Sequence, residues 1–500
     1  MPEPGAAAGF LSPAWNARDW LDEGRADAEP APSRWILPFV LAAVIVSDRI
    51  FLVVETGGHG VFPLLALIAP VAATGAVLRY GIARSLGFIA HPAFVVGVLP
   101  YLALTLVLPI LGVMFHGYPE RTLLSVTETT TALSFLVLGA VAASNDDRGW
   151  LRWLLPAIAI EFAYSLGQAI NWARGPGWEL FTPFAQWDRS LAAIEGQISS
   201  EGRATGLFTN PNELGLWAAV AAVLAWTLLP GRQRAVGVTL AALTLLLSQS
   251  RGPTVGLVAA VVVGAALGIA RGRLVSMTAF RAVGTLTLAA AVLVVATSFQ
   301  LLDVPLDRFG FLIQVVTVGP QADVNLASRI SLWSGVLNLN LAFPLGTWGS
   351  PELILGTAVD SAWFRAFAQG SVIYVAAMAL LFGAAVAVRN ASYGDALRLM
   401  AVVLAVVGLT QTTLGSPVTP LLWTMLGLYL GAAVARRHAT PEAEIGWPPG
   451  MPQPAGGIGA SSEAPRRMGV PLITAIPDTA ARPGRTGTSR PRRRTGDSSP

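Results

Sequence analysis

From Trp35 to Ala435 the chain repeats one pattern: an apolar run of roughly 20 residues, then a short turn rich in Arg, Gly and Pro. Coiled as a helix, such a run crosses a hydrocarbon core of about 30 Å. The runs fall near 36–54, 61–80, 93–115, 122–144, 150–171, 213–230, 235–250, 254–270, 281–299, 372–388, 396–413 and 418–435. They predict an all-α, polytopic membrane protein with about 12 transmembrane helices and a large loop before the tenth. The predicted transmembrane domain spans 35–435. Residues 1–34 mix Pro, Ala, Gly and acids, with no apolar core after a basic start. They are expected to be a disordered cytoplasmic arm, neither signal peptide nor span. Residues 436–500 turn to Pro, Gly, Ser, Thr and Arg, ending in Arg490-Pro491-Arg492-Arg493-Arg494. A disordered cytoplasmic tail is expected there, solvated or touching anionic lipid. No internal repeat stands out.

The arginines orient the pattern. With the N-terminus inside, the inner turns hold Arg79 and Arg84, Arg148 and Arg152, Arg232 and Arg234, Arg271, Arg273 and Arg281, then Arg389 and Arg398. Short outer turns hold few, so the positive-inside rule predicts both termini inside. Two long segments then lie outside, 171–212 and 300–370. Arg203, Arg251, Arg329 and Arg365 fall at the outer face against the rule. Each either binds an anionic group, snorkels to the headgroups, or pairs with an acid such as Asp188, Asp307 or Asp323.

Composition narrows the chemistry. Hydrophobic residues make up 53% of the chain and charged ones 12%, with a mean hydropathy of +0.59. Cysteine is absent, which removes disulfides, thiolate metal sites and thiol nucleophiles. All 33 basic residues are arginine, which removes a Walker lysine, a Schiff-base lysine and a pyridoxal anchor. The formal charge of +4 is what inner-face arginines produce, so nucleic acid is not an expected partner.

One stretch concentrates polar chemistry at the mouth of an apolar helix: Arg203-Ala204-Thr205-Gly206-Leu207-Phe208-Thr209-Asn210-Pro211-Asn212-Glu213-Leu214-Gly215. Pro211 pushes Asn210 out of the helical region, and Asn210 or Asn212 can cap the helix that follows. An arginine, two amides and a helix N-terminus there suit an anion. Three further outer pieces accompany it. They are Ser248-Gln249-Ser250-Arg251-Gly252, then Ser328-Arg329-Ile330-Ser331-Leu332-Trp333 with Pro344-Leu345-Gly346, and Asp360-Ser361-Ala362-Trp363-Phe364-Arg365.

Taken in this order, these pieces resemble the O-antigen ligase and polysaccharide polymerase superfamily of the bacterial envelope. The resemblance covers 202–389. It rests on Arg203-x-x-Gly206-x-Phe208-x-Asn210-Pro211-Asn212, Ser250-Arg251-Gly252, and Arg329-x-x-x-Trp333 with Pro344-Leu345-Gly346. It implies an inner-membrane glycosyltransferase whose donor is a glycan on undecaprenyl diphosphate, acting at the outer face without cofactor or metal. Membrane lipids and polysaccharide-export or chain-length proteins are the implied partners. Carried over residue by residue, Arg203, Arg251 and Arg329 clamp the diphosphate, Asn210 and Asn212 shape the pocket, and Arg365 is a further substrate-binding position. Arginine forks suit this task because they grip phosphate oxygens bidentately and never deprotonate.

The sequence departs from the ligase pattern at one place. Ligases of the family carry a histidine just before the span that follows the outer loop. Here that place reads Val359-Asp360-Ser361-Ala362-Trp363, and His59, His91, His116 and His438 lie elsewhere. The acceptor base then passes to Asp360, provided burial raises its pKa. Asp360 also reads as a helix cap or a partner for Arg365. Glu161 and Glu128 fall within spans, where a carboxylate is either functional or bonded to a neighbouring helix. Leu326 to Leu341 patterns as an amphipathic helix on the membrane or a buried loop helix. Trp15, Trp20, Trp35, Trp150 and Trp153 read as interfacial anchors. The expected activity is polymerisation or transfer of a surface polysaccharide. The alternatives are a flippase or transporter of lipid-linked glycans, a ligase using another acceptor, and a non-catalytic envelope scaffold.

Overall fold

The structure, a computed structural model, describes residues 35–46, 51–54, 60–63, 65–117, 119–144, 151–174, 202–208, 210–270, 319, 324–348, 351–356, 359–388 and 393–439. The chain forms two units, Met1–Pro441 and Glu442–Pro500, and the described residues belong to the first. The N-terminal arm, the ninth predicted span at 281–299 and the predicted C-terminal tail from residue 440 on lie outside them, while 436–439, expected as tail, continue a helix.

Apart from one two-stranded hairpin, the regular elements described are helices. In chain order they are α1 (Ile36–Val46), α2 (Leu65–Tyr80), α3 (Ile82–Leu86), α4 (Leu99–His116), α5 (Pro119–Ser144), α6 (Leu151–Arg174), α7 (Pro211–Leu228), α8 (Gly231–Ser248) and α9 (Arg251–Ala270). Then follow α10 (Val324–Ala342), α11 (Pro351–Leu355), α12 (Ala362–Val386), α13 (Gly394–Val407) and α14 (Thr419–Ala439). Among the described residues, five stretches are long and apolar enough to cross a membrane: Phe94–Phe115, Ser125–Ala143, Leu151–Ile170, Arg251–Gly268 and Ala362–Val386. The chain is therefore a helical membrane protein.

The first predicted span is shortened. Helix α1 stops at Val46, and β1 (Phe51–Val54) pairs antiparallel with β2 (Gly60–Pro63), Phe51 opposite Pro63 and Val54 opposite Gly60. Ser47-Asp48-Arg49 interrupts the apolar run, and the residues beyond it are aromatic and β-branched, which favour strands. The tenth predicted span differs as well. Helix α12 begins at Ala362, ten residues before the predicted 372, and is broken inside at Gly370 and Ser371.

Helix α7 is the core of the described bundle. Every residue from Leu214 to Ala225 is buried, which a helix achieves only when enclosed on all sides. It packs against α8 most extensively and also touches α6, α9 and α13. Its surroundings favour small residues: Gly215 takes the approach of Ser250, whose Cβ stands 2.4 Å from where a Gly215 Cβ would be. A second tight pair is α5 with α14. A Cβ on Gly139 would meet the Thr424 carbonyl at 2.2 Å, and one on Gly427 the Leu136 carbonyl at 2.2 Å. Gly427 and Gly431 are a small-xxx-small repeat that lets two helix backbones touch.

Arginines close helix C-termini at the turns assigned to the inner face. Arg234 Nε donates to the Leu229 carbonyl at 2.9 Å, at the end of α7. Arg398 Nε donates to the Val386 carbonyl at 2.8 Å, at the end of α12, and pairs with Asp395 at 3.0 Å. Cations at C-termini satisfy orphan carbonyls and complement the helix dipole.

Candidate functional site

The Arg203 mouth is built by α6, α7 and the end of α8. Asn210 adopts an extended conformation and caps α7, its Oδ1 accepting from the Asn212 amide at 2.8 Å. Pro211 occupies the first helical position, where a missing N–H costs nothing. The segment ahead of it is cradled by two side chains of α6, seven positions and thus two turns apart on one face. Gln168 Oε1 accepts from the Thr205 and Gly206 amides at 2.9 and 2.8 Å. Glu161 Oε2 accepts from the Leu207 amide at 3.1 Å. Gly206 has a φ of +60°, and a Cβ there would stand 2.4 Å from Glu161 Oε2. The intramembrane carboxylate of Glu161 thus bonds to the chain entering α7.

Arg203 is buried, at 7% exposure. Its Nε donates to the Ser248 carbonyl at 3.1 Å, and its Nη2 to Asn212 Oδ1 at 2.8 Å and Ser250 Oγ at 3.4 Å. Ser250 Oγ in turn donates to the Pro211 carbonyl at 2.7 Å. The structure therefore brings Arg203, Asn210, Asn212 and Ser250 into one network, directly ahead of half-buried Arg251 at the start of α9.

Arg329 and Asp360 form a second group. Arg329 on α10 pairs with Asp360 at 3.8 Å, the side chains 31% and 57% exposed. The cap of α12 is Ser361, whose Oγ accepts from the Phe364 amide at 3.3 Å. Asp360 is thus neither that cap nor the buried carboxylate that a base role called for. Trp333 stacks on Phe364 at 4.8 Å, fixing α10 against α12. Leu337 and Leu341, further along α10, are exposed.

The turn between α13 and α14 links these groups and carries no signal that sequence reasoning used. Ser361 Oγ donates to the Gly408 carbonyl at 3.0 Å, and the Ala362 amide donates to the Gly408 and Gln411 carbonyls. A Cβ on Gly252 would meet Thr410 Oγ1 at 2.7 Å. Ser416 Oγ donates to Glu213 Oε2, tying the turn to the first turn of α7. The run Thr410-Gln411-Thr412-Thr413-Leu414-Gly415-Ser416 was visible as a polar interruption between two spans.

A small pocket of about 60 Å³, open to solvent at its mouth, lies beside the break in α12. Arg365 and Gln369 line it from the part of α12 before the break, Tyr374 from the part after it, and Glu128 from α5. From α4, Thr105 Oγ1 bonds to the Tyr374 hydroxyl at 2.9 Å, and Tyr101 stacks on Tyr374 at 5.7 Å. The break frees carbonyls that the outer loop satisfies: Thr347 N donates to Ala368 O at 2.8 Å and Trp348 N to Gln369 O at 2.9 Å. A Cβ on Gly346, where φ is +88°, would stand 2.4 Å from the Gln369 carbonyl. Of the residues singled out in the sequence, Arg365 and Glu128 line this pocket.

Three described residues other than glycine have positive φ: Gln249, Trp348 and Ser371. Gln249 ends α8 at the mouth, while Trp348 and Ser371 flank the pocket. Strained backbone of this kind persists where the surrounding structure over-determines it. Among the described residues, no group of three or more His, Cys, Asp or Glu is placed to hold a metal ion. No protein-family model and no curated protein matches the chain.

Proposed function

We propose that the protein is a membrane glycosyltransferase that polymerises or transfers a surface glycan from a lipid-diphosphate donor to an acceptor hydroxyl at the outer face of the bacterial inner membrane. In this reading the chain crosses about 12 times, with both termini inside. The observation that carries it is the polar layer joined by the α13–α14 turn. That layer links the Arg203 mouth, the Arg251 helix start and the Arg329 loop helix at one end of an apolar bundle. Charge builds on the diphosphate as the glycosidic bond breaks, and arginines held in place stabilise that change more than the bound donor. Arg251 and Arg329, less buried than Arg203, are the groups available to the diphosphate; Arg203 holds Asn212 and Ser250 in position. Asp360, exposed and paired, orients Arg329.

The test is glycan transfer by purified protein in proteoliposomes supplied with a lipid-diphosphate oligosaccharide and excess EDTA. Wild type lengthens the glycan despite the chelator, and Arg329→Ala lowers turnover about 100-fold, the effect of removing one charged transition-state donor. Loss of transfer on chelation, or full activity of Arg329→Ala, contradicts the reading.

The break in α12 favours a second reading, a transporter of lipid-linked glycans, because discontinuous helices line substrate sites in many transporters. That reading requires the donor to change leaflets with its glycan unaltered.

A further inference from the structure

We propose that the pocket beside the α12 break is a saccharide site that receives the acceptor sugar, with Glu128 as the base that takes the proton from its hydroxyl. This rests on the transferase reading, and extends it to a residue and a cavity outside the arginine mouth.

The lining selects the ligand class. Glu128 opposes a bare anion, Arg365 opposes a bare cation, and the two together exclude an acyl chain, since buried charges need polar partners. A pyranose ring has what remains: a rim of vicinal hydroxyls and an apolar C–H face. Glu128, Arg365 and Gln369 are planar groups that bond neighbouring hydroxyls in pairs, while Trp348 and Tyr101 offer ring surface. The strained Trp348 backbone and the docked loop hold the wall rigid before any ligand arrives.

The pocket also has the right neighbour. Thr412, Leu414 and Gly415 line it from the α13–α14 turn, and the next residue, Ser416, bonds to Glu213 at the mouth of α7. The pocket and the mouth thus border the same turn, which leaves an acceptor in the one next to a donor reaching in from the other. Glu128 faces that turn: its Oε1 is 3.6 Å from where a Gly415 Cβ would lie. It also stands within the Ser125–Ala143 span, where a carboxylate is costly unless it serves a function. In the step itself, the acceptor oxygen forms a bond to the anomeric carbon as its proton passes to the Glu128 carboxylate. The bond from that carbon to the phosphate oxygen breaks, its electron pair leaves with the lipid diphosphate, and Glu128 later returns the proton to water.

The experiment presents the full chain in nanodiscs to an array of bacterial surface-glycan repeat units, then uses the best-bound unit as acceptor in the transfer assay. Gln369→Ala and Trp348→Ala weaken binding about tenfold each. Glu128→Gln, which keeps the shape, turns over at least about 100-fold more slowly, the usual effect of losing a general base. Binding unaffected by the Gln369 and Trp348 changes overturns the saccharide site, even if transfer occurs. Glu128→Gln turnover within about threefold of wild type overturns the base. Pocket-dependent binding with no transfer by wild type overturns the transferase reading and the base with it, and supports the saccharide site alone.

Discussion

At the scale of single residues, Arg203 and Arg329 sit in different surroundings. Arg203 is buried and holds three oxygen acceptors. Arg203→Ala leaves them without that donor, at a cost of about 1–3 kcal/mol, so activity and thermal stability in detergent fall together. The Arg329–Asp360 pair is partly exposed and contributes at most about 1 kcal/mol. Arg329→Ala is therefore expected to lose activity at an unchanged melting temperature, and a matching drop in stability would contradict its assignment to the donor. Gly206→Ala adds a Cβ into Glu161 at a positive φ, and a loss of about 1–3 kcal/mol is expected in the same melting assay. The Asn210 cap was legible because capping is local. The Glu161 and Gln168 cradle was not, since their partners lie 46 and 37 residues away. Asp360 likewise pairs with Arg329 on another helix, whereas its sequence neighbourhood suggested only a cap or Arg365.

Among the elements, helix placement followed the apolar pattern wherever a helix stood in continuous lipid-compatible sequence. α5, α6 and α9 match their predicted runs to within a few residues. The pattern misled where hydropathy is high and the backbone is not helical, as in the β1–β2 hairpin, or is interrupted, as at Gly370–Ser371. Hydropathy reports partition into lipid and not backbone conformation. The α5–α14 contact shows the converse. Gly427 and Gly431 drew no notice in the sequence, and only the structure names Leu136 and Ala140 as what they meet. Gly427→Leu cannot be accommodated against the Leu136 carbonyl without separating the helices. A loss of at least about 1–3 kcal/mol is expected, read as reduced yield of monodisperse protein in detergent. Gly346→Ala pushes the outer loop off the Gln369 carbonyl and is expected to impair the pocket while leaving overall folding intact, a separation measurable by glycan binding against melting temperature.

For the whole molecule, membrane character was legible from composition alone, because a chain that is 53% hydrophobic cannot cover itself with polar surface. The polar layer was legible only in pieces. Sequence order supplied the Arg203, Arg251 and Arg329 segments, whereas their junction through the α13–α14 turn, and the pocket beside it, depend on how α12, α13 and α14 pack. A surface transferase and a transporter use such a layer differently. One changes covalent bonds at one face, the other moves an intact lipid between faces. The most direct measurement follows both quantities in the same proteoliposomes: glycan length, and the leaflet in which the lipid-linked glycan resides. A transferase gives longer glycans with the starting lipid still in its original leaflet, and that gain disappears in Arg329→Ala. Glycans of unchanged length appearing in the opposite leaflet would contradict the account and identify a transporter instead.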